Sequence, residues 1–342
     1  MKNKKKKLTV GTIIGRIALV FFSTVLVLLL FLVGVCGTLI KGPSVYAKKL
    51  FTRSCHETSA LKFVPSIFIS QSEYDEILSE ISTRSIDDGY VEYAFSQNSE
   101  KAKEEETVEY TDVIELFDLV GDTYKGKMMV IHDPKLVRFA AVSAYGENGY
   151  ILRDFITKYG AIAGTNAGGF FDPGGMGGGG TPDGLVILDG KLSFGSLGTK
   201  YVDVIGFDAE GVLHVGDMTA QQALDEGIIN GVSFSLGPCL VKDGVRQTFA
   251  NSGVNPRTCI GQRANKDVLI ATIEGRHPDS LGATSDNIAD LMLEWGAINA
   301  GNLDGGSSTA MYYEGERLIR SCSMVGERKM PTALLVFSPD EE

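Results

Sequence analysis

Three segments of this 342-residue chain end in the same way, and each ending carries groups able to do chemistry. An apolar run over residues 297–303, with Asn302 near its close, passes into Asp304-Gly305-Gly306-Ser307-Ser308-Thr309. Residues 161–165 pass into Asn166-Ala167-Gly168-Gly169-Phe170-Phe171-Asp172-Pro173, and residues 267–273 into Glu274-Gly275-Arg276-His277. Each run is of strand length and ends in an amide or carboxylate followed closely by glycine. A buried strand that delivers a polar group at its tip, beside residues that let backbone come close, is a common way to build a site. A single Asp-Gly pair also reads as a hairpin turn. Three such endings predict a shared rim where Asn166, Glu274 and Asp304 converge.

Several other chemistries lack their residues. The glycine run at 174–180 has no Gly-Lys-Ser/Thr to make a phosphate-cradling P-loop, so it reads as a surface loop or a lip over the rim. No Gly-x-Ser-x-Gly nucleophile elbow is present. The four histidines, His56, His132, His214 and His277, show no metal-ligand spacing, and the five cysteines form no Cys-x-x-Cys. Neither a metal nor a cofactor is expected. Cys239, Cys259 and Cys322 read as small buried hydrophobes, with one bridge among them left open.

The elements that must position these residues follow from periodicity. Ser285 is placed to cap a helix over 286–295, in which Ile288, Leu291, Met292 and Trp295 share a face and Gly296 ends the run. Helices are also predicted near 73–81, 150–159 and 220–226. Short β-type runs are predicted at 128–131, 137–144, 161–165, 185–188, 202–207, 212–215, 232–241, 258–262, 268–273, 297–303, 310–313 and 333–337. Asp189-Gly190, Asp243-Gly244 and Glu314-Gly315 suit tight turns between paired strands. The expected fold is α+β, a mixed, mostly antiparallel sheet system with few helices.

Charge and hydropathy divide the chain further. The first 50 residues hold nine Lys or Arg and no acid, which leaves the remainder at −20 within a total of −11. So acidic an outer part has no basic stripe for nucleic acid. Residues 17–40 carry no charge, and at ~1.5 Å per residue they reach across a ~30 Å hydrocarbon core. The expected organisation is a basic cytoplasmic tail at 1–16, an uncleaved transmembrane anchor at 17–40, a stalk at 41–115 with a solvated acidic stretch at 97–109, and a folded domain at 116–342 outside the cell. The rival for the apolar span is a signal peptide cleaved after Val45-Tyr46-Ala47, but the span exceeds the usual ~7–15 apolar residues of a signal.

The motifs then point to a family. Asn166-Ala167-Gly168-Gly169-Phe170-Phe171, Pro182-Asp183-Gly184-Leu185-Val186-Ile187, Asn255-Pro256-Arg257-Thr258, Glu274-Gly275-Arg276 and Asn302-Leu303-Asp304-Gly305-Gly306-Ser307-Ser308 occur in that order. In them the chain resembles the phosphodiester glycosidase family, over roughly residues 130–338. Many bacterial members of that family carry an exopolysaccharide-biosynthesis label. The resemblance implies hydrolysis of a sugar-1-phosphodiester or phosphate-linked glycan, with α-N-acetylglucosaminyl among the sugars it suggests. Glycoside hydrolysis usually relies on two carboxyl groups, and the motifs offer Asp172, Asp183, Glu274 and Asp304. Asp304 is the first choice as catalytic residue and Glu274 the second, while Asp183 lies in a Pro-Asp-Gly turn. Arg257 and Arg276 are the expected anion clamps, because a guanidinium grips two phosphate oxygens at once. Asn166, Asn302 and Ser307 would bond the sugar, the Gly305 and Gly306 amides would form an anion nest, and Phe171 would stack on a sugar face. A non-catalytic glycan-binding envelope module and a metal-dependent phosphodiesterase are the alternatives.

Overall fold

The computed structural model describes residues 10–58, 61–81, 113–173, 177–198, 200, 202–235, 237–323 and 326–339. The first part of the basic tail, the acidic stretch at 97–109 and residues 174–176 of the glycine loop lie outside them.

Helix α1 (Val10–Lys41) is the one helix among the described residues long and apolar enough to cross a membrane. Its most apolar window has a mean hydropathy of 2.9, and none of that window is buried. After it, the described residues of the segment expected as a stalk hold two α-helices. Ser44 caps α2 (Val45–His56) by accepting from the Ala47 amide at 3.1 Å, and Ser70 caps α3 (Gln71–Ser79) through the Glu73 amide at 3.2 Å. Ile69, Tyr74 and Ile77 close a small core around Ile40, so this unit packs on the C-terminal end of α1. Arg53 bonds the Ile77 carbonyl at 3.0 Å and pairs with Glu80, which ties α2 to α3.

Among the described residues of the remainder there are three antiparallel sheets. The largest runs β1 (Ile114–Val120), β2 (Lys125–Ile131), β13 (Val268–Ile273), β12 (Arg257–Gln262), β14 (Asn299–Leu303), β10 (Cys239–Lys242) and β11 (Val245–Arg246). The second runs β16 (Glu316–Arg317), β15 (Met311–Tyr313), β4 (Ala163–Asn166), β17 (Thr332–Val336) and β3 (Val137–Ala141). The third runs β6 (Lys191–Phe194), β5 (Val186–Leu188), β9 (Ile228–Ser233), β7 (Val202–Asp208) and β8 (Leu213–Met218). Helices α4 (Leu152–Tyr159), α5 (Ala220–Asp225) and α6 (Ser285–Glu294) complete the expected α+β architecture.

β12 and β13 are buried along their whole length because both faces are covered, which is why they read as continuous apolar runs. On one face Ile260, Ile270 and Leu303 meet Ile205, Val215 and Leu334 of the other two sheets. On the other, Cys259, Ala271 and Ala300 meet Ile288, Leu291 and Met292 of α6. Leu303 lies opposite Thr258 and Ile273 opposite Arg257, so three motif strands deliver their ends to one edge of this sheet.

The three expected hairpin turns form as read: Asp189, Asp243 and Glu314 take φ of 51°, 52° and 48°, each followed by a positive-φ glycine. Two expectations need correction. The run at 232–241 is two strands, β9 and β10, because the chain breaks at Gly237-Pro238, where proline cannot donate to a ladder. Helix α6 begins one residue early: Thr284, not Ser285, is the cap, in a reciprocal capping box with Asn287. Strand β1 is not among the expected strands and begins two residues before the expected domain boundary at 116, because its edge position leaves most of its side chains exposed and erases the apolar pattern.

Candidate active site

Asp304 follows β14 directly. Its amide donates to the Ala167 carbonyl at 2.9 Å, and its own carbonyl accepts from Asn166 Nδ2 at 2.5 Å. The backbone there admits no side chain at the next position, since a Cβ on Gly305 would sit 2.6 Å from the Pro256 carbonyl oxygen. The Asp304 carboxyl is raised to about 6, first by burial and to a smaller extent by the nearby Asp172 charge. Hydrogen bonds from the Ser308 hydroxyl and the Gly305 amide, with the Arg328 charge, pull the other way without restoring the usual value. A carboxyl poised near neutrality in a desolvated corner is what acid–base or charge-stabilising chemistry requires.

Asn166 holds that corner together. Besides its bond to Asp304, its Oδ1 accepts from Thr258 Oγ1 at 2.8 Å and from the Ala310 amide at 3.1 Å. The residue is 1% exposed. One side chain thus pins the ends of β4, β12 and β14, and its amide is committed to the protein. Asn302 differs: it is equally buried, and among the described residues its amide nitrogen and oxygen have no partner. It lies opposite Cys259, on the α6 side of the sheet, whereas Thr258 and Asn166 meet on the other side.

The second carboxylate beside Asp304 is Asp172. It pairs with Arg328 at 2.6 Å and accepts from the Gly177 amide at 2.7 Å. Arg328, 8% exposed, lies over the Phe170 ring with its guanidinium carbon 5.9 Å from the centroid. Phe170 is half-buried against the second sheet's core, while Phe171 is 67% exposed. Asp172 was visible in the sequence at the close of a glycine-rich strand ending. Arg328 was not, because it stands in the loop before β17 with no periodic or motif signal.

Glu274 occupies a different corner. Its Oε1 accepts from the Arg320 amide at 2.7 Å, and its Oε2 from Arg320 Nε at 2.8 Å and Nη2 at 2.6 Å. Arg320 also binds Asp279 at 2.9 Å, and Lys125 reaches Asp279 at 3.0 Å. Burial would raise the Glu274 carboxyl, but the Arg320 hydrogen bonds and charge overcome it and hold it below the usual carboxylate range. The structure therefore brings Asp304 together with Asp172 and Arg328, and gives Glu274 to Arg320.

The two expected clamps also separate. Arg257 shares the face of Cys259, and its donors go to the Ala283 carbonyl at 3.0 Å, the Gly253 carbonyl at 2.7 Å and Glu57 at 2.5 Å. Arg276 lies at the turn itself: its Nη2 is 3.3 Å from where a Cβ on Gly306 would be. Arg276 takes φ of 62°, a conformation costly for a residue with a side chain, and Gly306 takes φ of 60°. Gly305, Gly306 and Ser307 sit half-buried at the start of a short 3₁₀ turn, and it is the buried Ser308 that bonds Asp304. No three His, Cys, Asp or Glu side chains among the described residues are gathered as metal ligands would be.

Comparison with known proteins matches the sequence to a family. The phosphodiester glycosidase family model matches residues 159–337, which contain every residue of the Asp304 and Glu274 corners except Lys125. A prophage-derived uncharacterized protein, YomE of Bacillus subtilis, is 33% identical over 170 residues, covering 46% of this chain and 26% of its own length. The chain thus spans about a quarter of that relative. The catalytic domain of zebrafish N-acetylglucosamine-1-phosphodiester α-N-acetylglucosaminidase, described as auto-inhibited by its pro-peptide, shares the fold with a TM-score of 0.56 at 20% identity. That likeness covers 68% of this chain and 85% of the zebrafish domain. With more than half its length matched by the family model, the chain belongs to the phosphodiester glycosidase family.

Proposed function

We propose that the chain is a membrane-anchored, outward-facing hydrolase that cleaves the sugar–phosphate glycosidic bond of a sugar-1-phosphodiester in a cell-surface glycopolymer or exopolysaccharide. The observation that carries this reading is the Asp304 carboxyl, raised to about 6 at a strand tip beside Asp172 and Arg328. A phosphate diester is already a good leaving group, so the larger need is for negative charge facing the anomeric carbon as it becomes cationic. Ionised Asp304 supplies it. The bond from the anomeric carbon to the phosphate oxygen breaks, the electron pair leaves with the phosphate, and water adds to the sugar carbon and loses a proton. Arg276 beside Gly306 holds the phosphate, and exposed Phe171 offers a face for the sugar.

Anchoring and orientation rest on α1 and its flanks. Lys2, Lys4, Lys5, Lys6, Lys7 and Arg16 precede the apolar span, which favours retention of that end inside. At the other end Phe68 packs against Gly37 of α1, and Tyr46, Phe63 and Ile67 are exposed nearby, as suits a membrane–water boundary. External protease on intact cells should release the catalytic part, and a mature protein beginning near Lys48 would instead mean a cleaved signal.

The reaction itself is tested by incubating the full chain with a panel of sugar-1-phosphodiesters, α-N-acetylglucosaminyl-1-phosphomethyl ester first, in ¹⁸O-labelled water. Label in the released sugar supports glycosidic cleavage. Label in the phosphate would replace it with phosphodiesterase chemistry, and tight glycan binding with no turnover would make the chain a binding module.

A further inference from the structure

The family match begins at residue 159, yet the site's cation is held by residues near position 57. Glu57 stands at the C-terminal end of α2. Its Oε1 accepts from the Gly253 amide at 2.7 Å, and its Oε2 from Asn255 Nδ2 at 2.9 Å and Arg257 Nη2 at 2.5 Å. The next residue, Thr58, accepts from Arg276 Nη2 at 3.1 Å. Asn255 links the two contacts, since its Oδ1 accepts from the same Arg276 nitrogen at 3.0 Å. The docking is close: a Cβ on Gly253 would lie 2.2 Å from the Ser54 amide nitrogen of α2, and the Val254 amide donates to Ser54 Oγ at 2.9 Å.

We infer that Glu57 and Thr58 are positioning residues for Arg276, so that the membrane-proximal helical unit is a working part of the active site. Glu57 orients Asn255 and anchors Arg257. Asn255 and Thr58 then fix the Arg276 guanidinium beside Gly306, two residues after Asp304. Arg257 is unsuited to the same task, with its donors spent on two carbonyls and on Glu57. The arrangement also fixes where catalysis takes place, because the unit that orients Arg276 packs on the end of α1.

This inference rests on the hydrolase reading for its kinetic test and is independent of it for its chemical one. The full chain in lipid nanodiscs is compared with Glu57→Gln, Thr58→Val and Gly253→Leu, the last a wedge that displaces α2 without touching a charge. Folding of each is checked by thermal melting. With a phosphodiester that the parent hydrolyses, KM should rise about tenfold and kcat change little, because Arg276 grips the phosphate in ground and transition states alike. In parallel, modification of Arg276 by phenylglyoxal, followed by peptide mass spectrometry, should speed up several-fold in all three folded variants. The second measurement needs no substrate, so it decides the inference even if no phosphodiester is cleaved. Unchanged Arg276 reactivity in folded Thr58→Val and Glu57→Gln would overturn it. Faster turnover in those variants would also overturn it, making the unit an inhibitory plug. If Gly253→Leu fails to fold, Thr58→Val, which removes only a hydroxyl, stands as the deciding variant.

Discussion

The Asp304 and Glu274 corners begin from the same sequence device and finish with opposite electrostatics. Each is a carboxylate at the tip of a buried strand of the same sheet, followed at once by glycine. Glu274 meets Arg320, accepts three hydrogen bonds from it, and is held ionised below the usual carboxylate range. Asp304 meets partial burial and the Asp172 charge, and its carboxyl is raised to about 6. A carboxylate saturated by one guanidinium is a structural anchor. One whose proton is held by burial, at the cost of stability, is available for chemistry.

The comparison breaks most visibly at Asp304. Asp304→Asn keeps size and most hydrogen bonding but removes the charge, and turnover should fall by ~10²–10³-fold, by analogy with loss of other preorganised electrostatic groups. The sign for stability is the reverse. A raised folded-state carboxyl binds its proton more tightly than the unfolded chain does, so its penalty appears as pH rises from ~4 to about 6 and persists above. Melting curves should therefore show the Asn variant gaining on the parent over that interval. Near-normal turnover in the folded variant would make Asp304 a turn residue.

Glu274→Gln should act on stability and not on the chemical step. Its carboxyl is buried and accepts all its bonds from Arg320, so losing the pair should lower the melting temperature. Glu274 is depressed in the folded state, so its contribution is present above ~4.3 and is lost as pH falls through its lower folded value. The Gln variant should lose that acid dependence while keeping kcat within about twofold in the folded fraction. A hundredfold fall in kcat without destabilisation would move the catalytic assignment to Glu274.

The smallest effects are shifts in the pH profile. With ionised Asp304 as the working form, kcat/KM should rise with pH through about 6. Removing the Asp172 charge by Asp172→Asn should move that limb to lower pH, and removing the Arg328 charge by Arg328→Met to higher pH, since the first charge raises the Asp304 carboxyl and the second lowers it. Shifts in these opposite directions would place both groups beside Asp304 in solution. A profile that falls above pH 6 would give Asp304 the proton-donor role instead.

Much of the sheet system was legible because its strands are short apolar runs punctuated by Asp-Gly and Glu-Gly turns, and both signals are local. Asp304, Asn166 and Glu274 were legible as strand tips for the same reason. Their partners were not. Arg320 and Arg328 lie in irregular segments whose residue types carry no periodicity, and their pairings cross 46 and 156 residues of chain. Glu57 was read as part of a stalk, since nothing local announces a contact to Arg257 some 200 residues away. Strand order could not be read from the runs either, because which apolar strands become neighbours depends on long-range packing of both faces. Local backbone preference and hydrophobic period thus determined the elements and the residues at their tips. Only the tertiary structure decided which carboxylate was neutralised by an arginine and which was left desolvated, because charge environment is set by neighbours in space and not in sequence.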